Sequence, residues 1–103
     1  MSIKIATEKF ESFILECINK MEIGEKVEFS QVEREEFTKK GKPFSKAHKI
    51  TLTKVDDDRF TVIDRGNEDL EYSNIDFNEV IKELMKLKEK EFGDCEHFFA
   101  YRD

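Results

Sequence analysis

Two runs of alternating residues joined by a string of acids constrain this chain more than any other feature. Ile50 and Leu52 alternate with Thr51 and Thr53, Phe60 and Val62 alternate with Thr61 and Ile63, and Asp56-Asp57-Asp58 stands between the runs. A period of two sends successive side chains to opposite faces of a strand, and aspartates hydrogen-bond their own backbone in turns, so the segment predicts an antiparallel hairpin. A second turn at Arg65-Gly66-Asn67 predicts a third short strand around Leu70 to Tyr72. A small meander is marginal alone in water, and its apolar face requires a helix.

The chain supplies two candidates. Asp76 and Glu79 have the spacing of a capping box, Ile75 and Val80 that of a hydrophobic staple, and Phe77, Val80, Ile81, Leu84 and Leu87 continue a stripe of helical period. Lysines 82, 86, 88 and 90 suit the negative end of the helix dipole, and Gly93 fits the position just past the last turn. Nearer the start, Phe10, Phe13, Ile14, Cys17, Ile18 and Met21 predict an amphipathic helix over residues 7–21, with Thr7 as N-cap and Gly24 at or after its end.

Two stretches are ambiguous. Val27 and Phe29 alternate with Lys26 and Glu28 as in a short strand, whereas Ser30 and Glu33 have the spacing of another capping box. Residues 31–40 therefore read either as a short helix stopped by Gly41 and Pro43 or as the arm of a hairpin. The last ten residues, with Cys95, His97, Phe98, Phe99 and Tyr101, are too apolar for a loose tail and predict an edge strand, a short helix or a dimer seam.

These elements predict a single α+β domain spanning residues 1–103, with an N-terminal helix, an antiparallel β-meander of three to four strands, and a C-terminal helix packed on the sheet. A winged-helix arrangement is the alternative if residues 31–40 are helical. The core is expected to include Phe10, Phe13, Ile14, Ile18, Ile50, Leu52, Phe60, Val62, Phe77, Val80, Ile81 and Leu84. Only 38% of residues are apolar and 41% are charged, but ten phenylalanines supply large buried area per residue, which favours ordered folding. No apolar run is long enough for a membrane span, no leader pattern opens the chain, and two cysteines are too few for a disulfide framework. A cytoplasmic protein with reduced thiols is expected.

Charge is unevenly placed. Thr38 to Val55 holds six lysines and no acid in a chain of net charge −6, which leaves −12 on the remaining 85 residues. Lysines 39, 40, 42, 46 and 49 around Phe44 form a candidate nucleic-acid surface, since lysines neutralise phosphates and an aromatic ring stacks on a base. The window lacks arginine, the residue best suited to bidentate phosphate and base contacts, and a lysine-rich loop also serves simply to keep a sheet edge soluble. Lys54, in phase with Ile50 and Leu52, falls outside the same surface.

The excess acid points to a protein partner with a basic surface, with Glu33, Glu35, Glu36, Asp56, Asp57 and Asp58 as the candidate contacts. Carboxylates at Asp56 to Asp58, with Asp64 nearby, are hard-cation ligands in principle, yet the twelve-residue calcium loop is absent. Cys95 and His97 have only Cys17 and His48 as distant companions, too scattered for zinc. With no nucleophile setting and no phosphate-binding glycine loop, neither catalytic residues nor a cofactor are expected. The residues describe a non-enzymatic interaction protein, a regulator or inhibitor, with nucleic-acid binding as the alternative. In size, acidity and element order the chain is similar to small phage-encoded inhibitors, including anti-CRISPR and glycosylase-inhibitor proteins, though no shared motif carries that similarity.

Overall fold

The computed structural model describes residues 3–30, 49–64 and 70–102. Strand β1 (Ile3–Ala6) leads through a 3-10 turn (Thr7–Lys9) into helix α1 (Phe10–Lys20), followed by β2 (Lys26–Ser30), β3 (Lys49–Asp56), β4 (Arg59–Asp64) and β5 (Leu70–Ile75). Helix α2 (Phe77–Phe92) and strand β6 (His97–Arg102) complete the order. The strands form one antiparallel sheet in the order β1-β6-β2-β3-β4-β5. The α+β class is as expected, but six strands replace the three to four expected, because both chain ends add strands to the meander. The helix-or-hairpin reading of residues 31–40, on which the winged-helix alternative turns, lies outside the described residues.

Alternation along the strands builds the core. Val27, Phe29, Ile50, Leu52, Phe60, Val62, Phe98 and Ala100 all point to the helix-covered face and are buried there with Phe10, Ile14, Ile18, Met21, Val80, Leu84, Leu87 and Phe92. Of the expected core, Phe13, Phe77 and Ile81 lie at its margin, half-buried. Four phenylalanines meet at its centre, the Phe10 ring lying 5.5, 6.1 and 5.2 Å from those of Phe29, Phe92 and Phe98, and Phe13 joins them from the margin with its ring 5.9 Å from that of Phe98. Such tilted and edge-on pairs add attraction beyond the burial of area.

The C-terminal segment is an interior strand, not an edge strand or helix. Phe98 and Ala100 face the helices, while Tyr101, opposite Glu28, faces the other side of the sheet. On that outer side Glu28, Ser30 and Tyr101 are buried. Local signals behave unevenly elsewhere. Asp76 caps α2 as predicted, its Oδ1 accepting from the Glu79 N–H at 2.9 Å. Thr7 does not cap α1; the 3-10 turn intervenes, and the Thr7 N–H instead donates to the Glu96 carbonyl at 2.9 Å, tying the helix entry to the approach to β6. Gly24, at φ 94°, makes the turn after α1 that only glycine adopts freely.

Candidate interaction surfaces

Bonds across the β2–β3 ladder fix which groups share an end of the molecule. Ser30 pairs with Lys49 at one end, and at the other the Lys54 N–H donates to the Glu25 carbonyl at 3.1 Å while the Gly24 N–H donates to the Lys54 carbonyl at 2.8 Å. Strand β3 thus runs from the lysine-rich window to the acidic turn, a span of about 23 Å over its eight residues. At the acidic end the turn after α1, the β3–β4 turn and the start of α2 come together, and with them Glu22, Glu25, Asp56, Asp57, Asp58, Asp76 and Glu79.

The aspartates of the turn do different jobs. Asp58 Oδ1 accepts from the Phe77 N–H at 3.2 Å, so this turn residue satisfies a backbone donor in the first turn of a helix 19 residues further on. The Arg59 guanidinium donates to the Asp58 carbonyl at 2.9 Å and stands 3.7 Å from its carboxylate. Asp56 Oδ1 accepts from the Asp57 N–H at 2.8 Å, closing the turn on itself. All three are exposed, and Asp57 is the one whose carboxylate takes part in none of these bonds. Among the described residues no group of three or more His, Cys, Asp and Glu is placed to hold a metal ion.

Lys54 is engaged in the same region. Its ammonium donates to the Met21 carbonyl at 3.2 Å, at the C-terminal end of α1 where a cation complements the helix dipole. That contact removes it from the basic surface, in line with its strand phase. Of the other lysines in the window, Lys39, Lys40, Lys42 and Lys46, with Phe44, lie outside the described residues, as do Glu33, Glu35 and Glu36. Lys49 opens β3 opposite Ser30, and Lys4 and Lys26 are exposed on the outer face of the sheet. Burial of Glu28, Ser30 and Tyr101 between them means that the middle of this face is not an open stacking platform for bases.

On α1, Glu16 forms an ion pair with Lys20 at 2.9 Å; the hydrogen bond from that ammonium, and then its charge, hold the Glu16 carboxyl below its ordinary value. Both side chains rim an apolar groove of about 150 Å³ between β1 and α1, lined by Ile3, Phe13 and Cys17. Cys95 and His97 line a separate shallow groove with Thr7 at the far end of β1, and neither Cys17 nor Cys95 is in a disulfide. The sequence reading missed β1 and its groove altogether; the one signal was Ile3 and Ile5 alternating about Lys4. No helix among the described residues is long and apolar enough to cross a membrane. No family model, curated protein or solved structure matches the chain.

Proposed function

We propose that this chain is a non-enzymatic interaction protein, a regulator or inhibitor that binds a protein partner bearing a basic surface. The observation that carries the reading is the acidic end: seven carboxylates from three separate turns are gathered where β3 passes into β4 and α2 begins, and Asp57 and its neighbours face solvent. A potential of this kind steers a cationic partner and sets orientation more than it sets raw affinity.

The test measures binding of a partner captured from lysate, with the purified pair titrated at about 0.05 and 0.5 M salt, well above and near the contact scale of electrostatic screening. Affinity that falls steeply with salt, and is lost in a Glu22→Lys, Asp56→Lys, Asp57→Lys variant, supports the reading. Binding indifferent to both sinks it. A second reading, nucleic-acid binding through the loop Lys39 to Lys49, draws on the exposed Lys4 and Lys26 of the outer sheet face. A gel-shift series at low salt decides it, since no shift with DNA or RNA at high protein concentration leaves the loop without that role.

A further inference from the structure

The hydrogen bond from Thr7 N–H to the Glu96 carbonyl sets the phase of the β1–β6 ladder. In an antiparallel pair, bonded and non-bonded residue pairs alternate. With Thr7 and Glu96 bonded, the bonded pairs continue as Ile5 with Phe98 and Ile3 with Ala100. Lys4 and Ala6 therefore turn their N–H groups away from β6, to the side of β1 where no other described strand pairs, and Lys4 turns its carbonyl the same way. The phase agrees with the far side of β6, where the Lys54 N–H to Glu25 carbonyl bond makes Val27 with Leu52 a bonded pair, so that Glu28 and Ser30 bond toward β6.

The two borders of the sheet differ. Strand β5 carries an irregularity against β4 where Asn74 sits at φ 58°, which discourages addition of another strand. Strand β1 has no bulge and no proline, and its Lys4 side chain leaves from the outer face. Beside it Ile3 is 52% exposed, at the mouth of the groove formed with Phe13 and Cys17. An aligned row of backbone donors and an acceptor next to an apolar slot is what an incoming strand requires, the backbone giving affinity and the slot accepting one alternate side chain.

We propose that the β1 edge receives an extended segment of the basic partner, which adds as a seventh strand and places an aliphatic side chain in the Ile3–Phe13–Cys17 groove. This rests on the reading of a basic partner. Charge selects the occupant: at net −6, two copies of this chain repel one another, whereas a cationic strand is attracted. Size agrees, since a four-residue edge is far below the roughly 1,200 Å² that a stable dimer buries, but suffices as one element of a larger contact.

The experiment uses the full chain and a defined probe, an end-blocked hexapeptide of alternating lysine and valine, followed by amide hydrogen exchange and 15N-resolved NMR. Binding is expected to slow exchange at Lys4 and Ala6 by about tenfold or more, the protection of closed ladder bonds, and to leave Ile5 unchanged. Lys4→Pro, which removes an outward N–H and keeps the bonds to β6, is expected to abolish that binding, while Lys4→Gln retains it. Unchanged exchange at Lys4 and Ala6 with the peptide saturating overturns the proposal, as does undiminished binding to Lys4→Pro. Loss of binding in the Glu22→Lys, Asp57→Lys pair, with Lys4→Pro binding normally, overturns strand addition but spares the acidic-end reading. Protection at Lys4 that ignores salt and those reversals upholds the added strand and overturns the acidic-end reading. Protection that appears without peptide as protein concentration rises assigns the edge to a second copy and overturns the proposed occupant.

Discussion

Replacing Phe10 by alanine tests the central packing argument. Phe10 is fully buried, and its ring lies within 6.1 Å of those of Phe29, Phe92 and Phe98, which belong to β2, α2 and β6. Truncating a buried phenylalanine costs about 3–5 kcal/mol through lost transfer energy and the cavity left behind. Each lost ring pair adds about 0.5–1.5 kcal/mol, which puts Phe10→Ala toward the top of that range. Stability for a chain of this size is about 5–15 kcal/mol, so the variant is expected to remain folded by only a small margin or to unfold. In urea denaturation followed by circular dichroism, with a slope of about 1–3 kcal/mol/M, the midpoint should fall by about 1.5 M or more. Phe10→Leu, which keeps much of the volume, should cost about 1–2 kcal/mol. Half-buried Phe13 provides the control. If Phe10→Ala costs no more than Phe13→Ala, or less than about 1.5 kcal/mol, then the four buried rings do not share one core centre and the reasoning fails.

Loss of the α2 cap in Asp76→Ala should cost about 1 kcal/mol in the same assay, whereas Asp57→Ala, at an exposed turn position, should stay within about 0.5 kcal/mol of the native protein. Gly93 lies at φ −54° and ψ −35°, where alanine is ordinarily favourable, but an added Cβ would clash with the Glu89 carbonyl oxygen; Gly93→Ala is therefore expected to lower the melting temperature, and a rise would refute the contact. Lys20→Met should raise the Glu16 carboxyl toward the ordinary carboxylate value, about 4.5, in an NMR titration. Because folding lowers that value, the pair's contribution is present above about pH 4.5 and is lost as pH falls through the depressed folded value, so the pH dependence in this region should flatten in the variant.

Local signals were legible where chemistry and period agree within a few residues. The Asp76–Glu79 box, the Ile50–Leu52 and Phe60–Val62 alternation, and the phase of Lys54 all carried through. Strand β6 was not recognisable as interior, because Phe98 and Ala100 face one way and Phe99 and Tyr101 the other, which hides a period of two behind aromatic residues on both faces. Strand β1 is four residues long, too short for its alternation to stand out. At the acidic turn, sequence marked Asp56 to Asp58 as turn residues, but the bond from Phe77 to Asp58 spans 19 positions and exists only after the sheet and α2 have come together. Thr7 misled for the opposite reason: its capping chemistry is real, yet the backbone bond to Glu96 drew it into a 3-10 turn.

The place of β6 between β1 and β2 sets an order of events during synthesis. Of the described strands β1 leaves the ribosome before the others and its ladder partner β6 after them, so Ile3 to Ala6 wait for that partner until residues beyond His97 emerge. Meanwhile β2 to β5 can pair in chain order, with one side of β2 open. Completion is then a late insertion that joins the two ends of the chain through contacts of nearly maximal sequence separation, the kind that slows folding. A chain halted before β6 presents two unfilled strand borders to whatever binds nascent polypeptides.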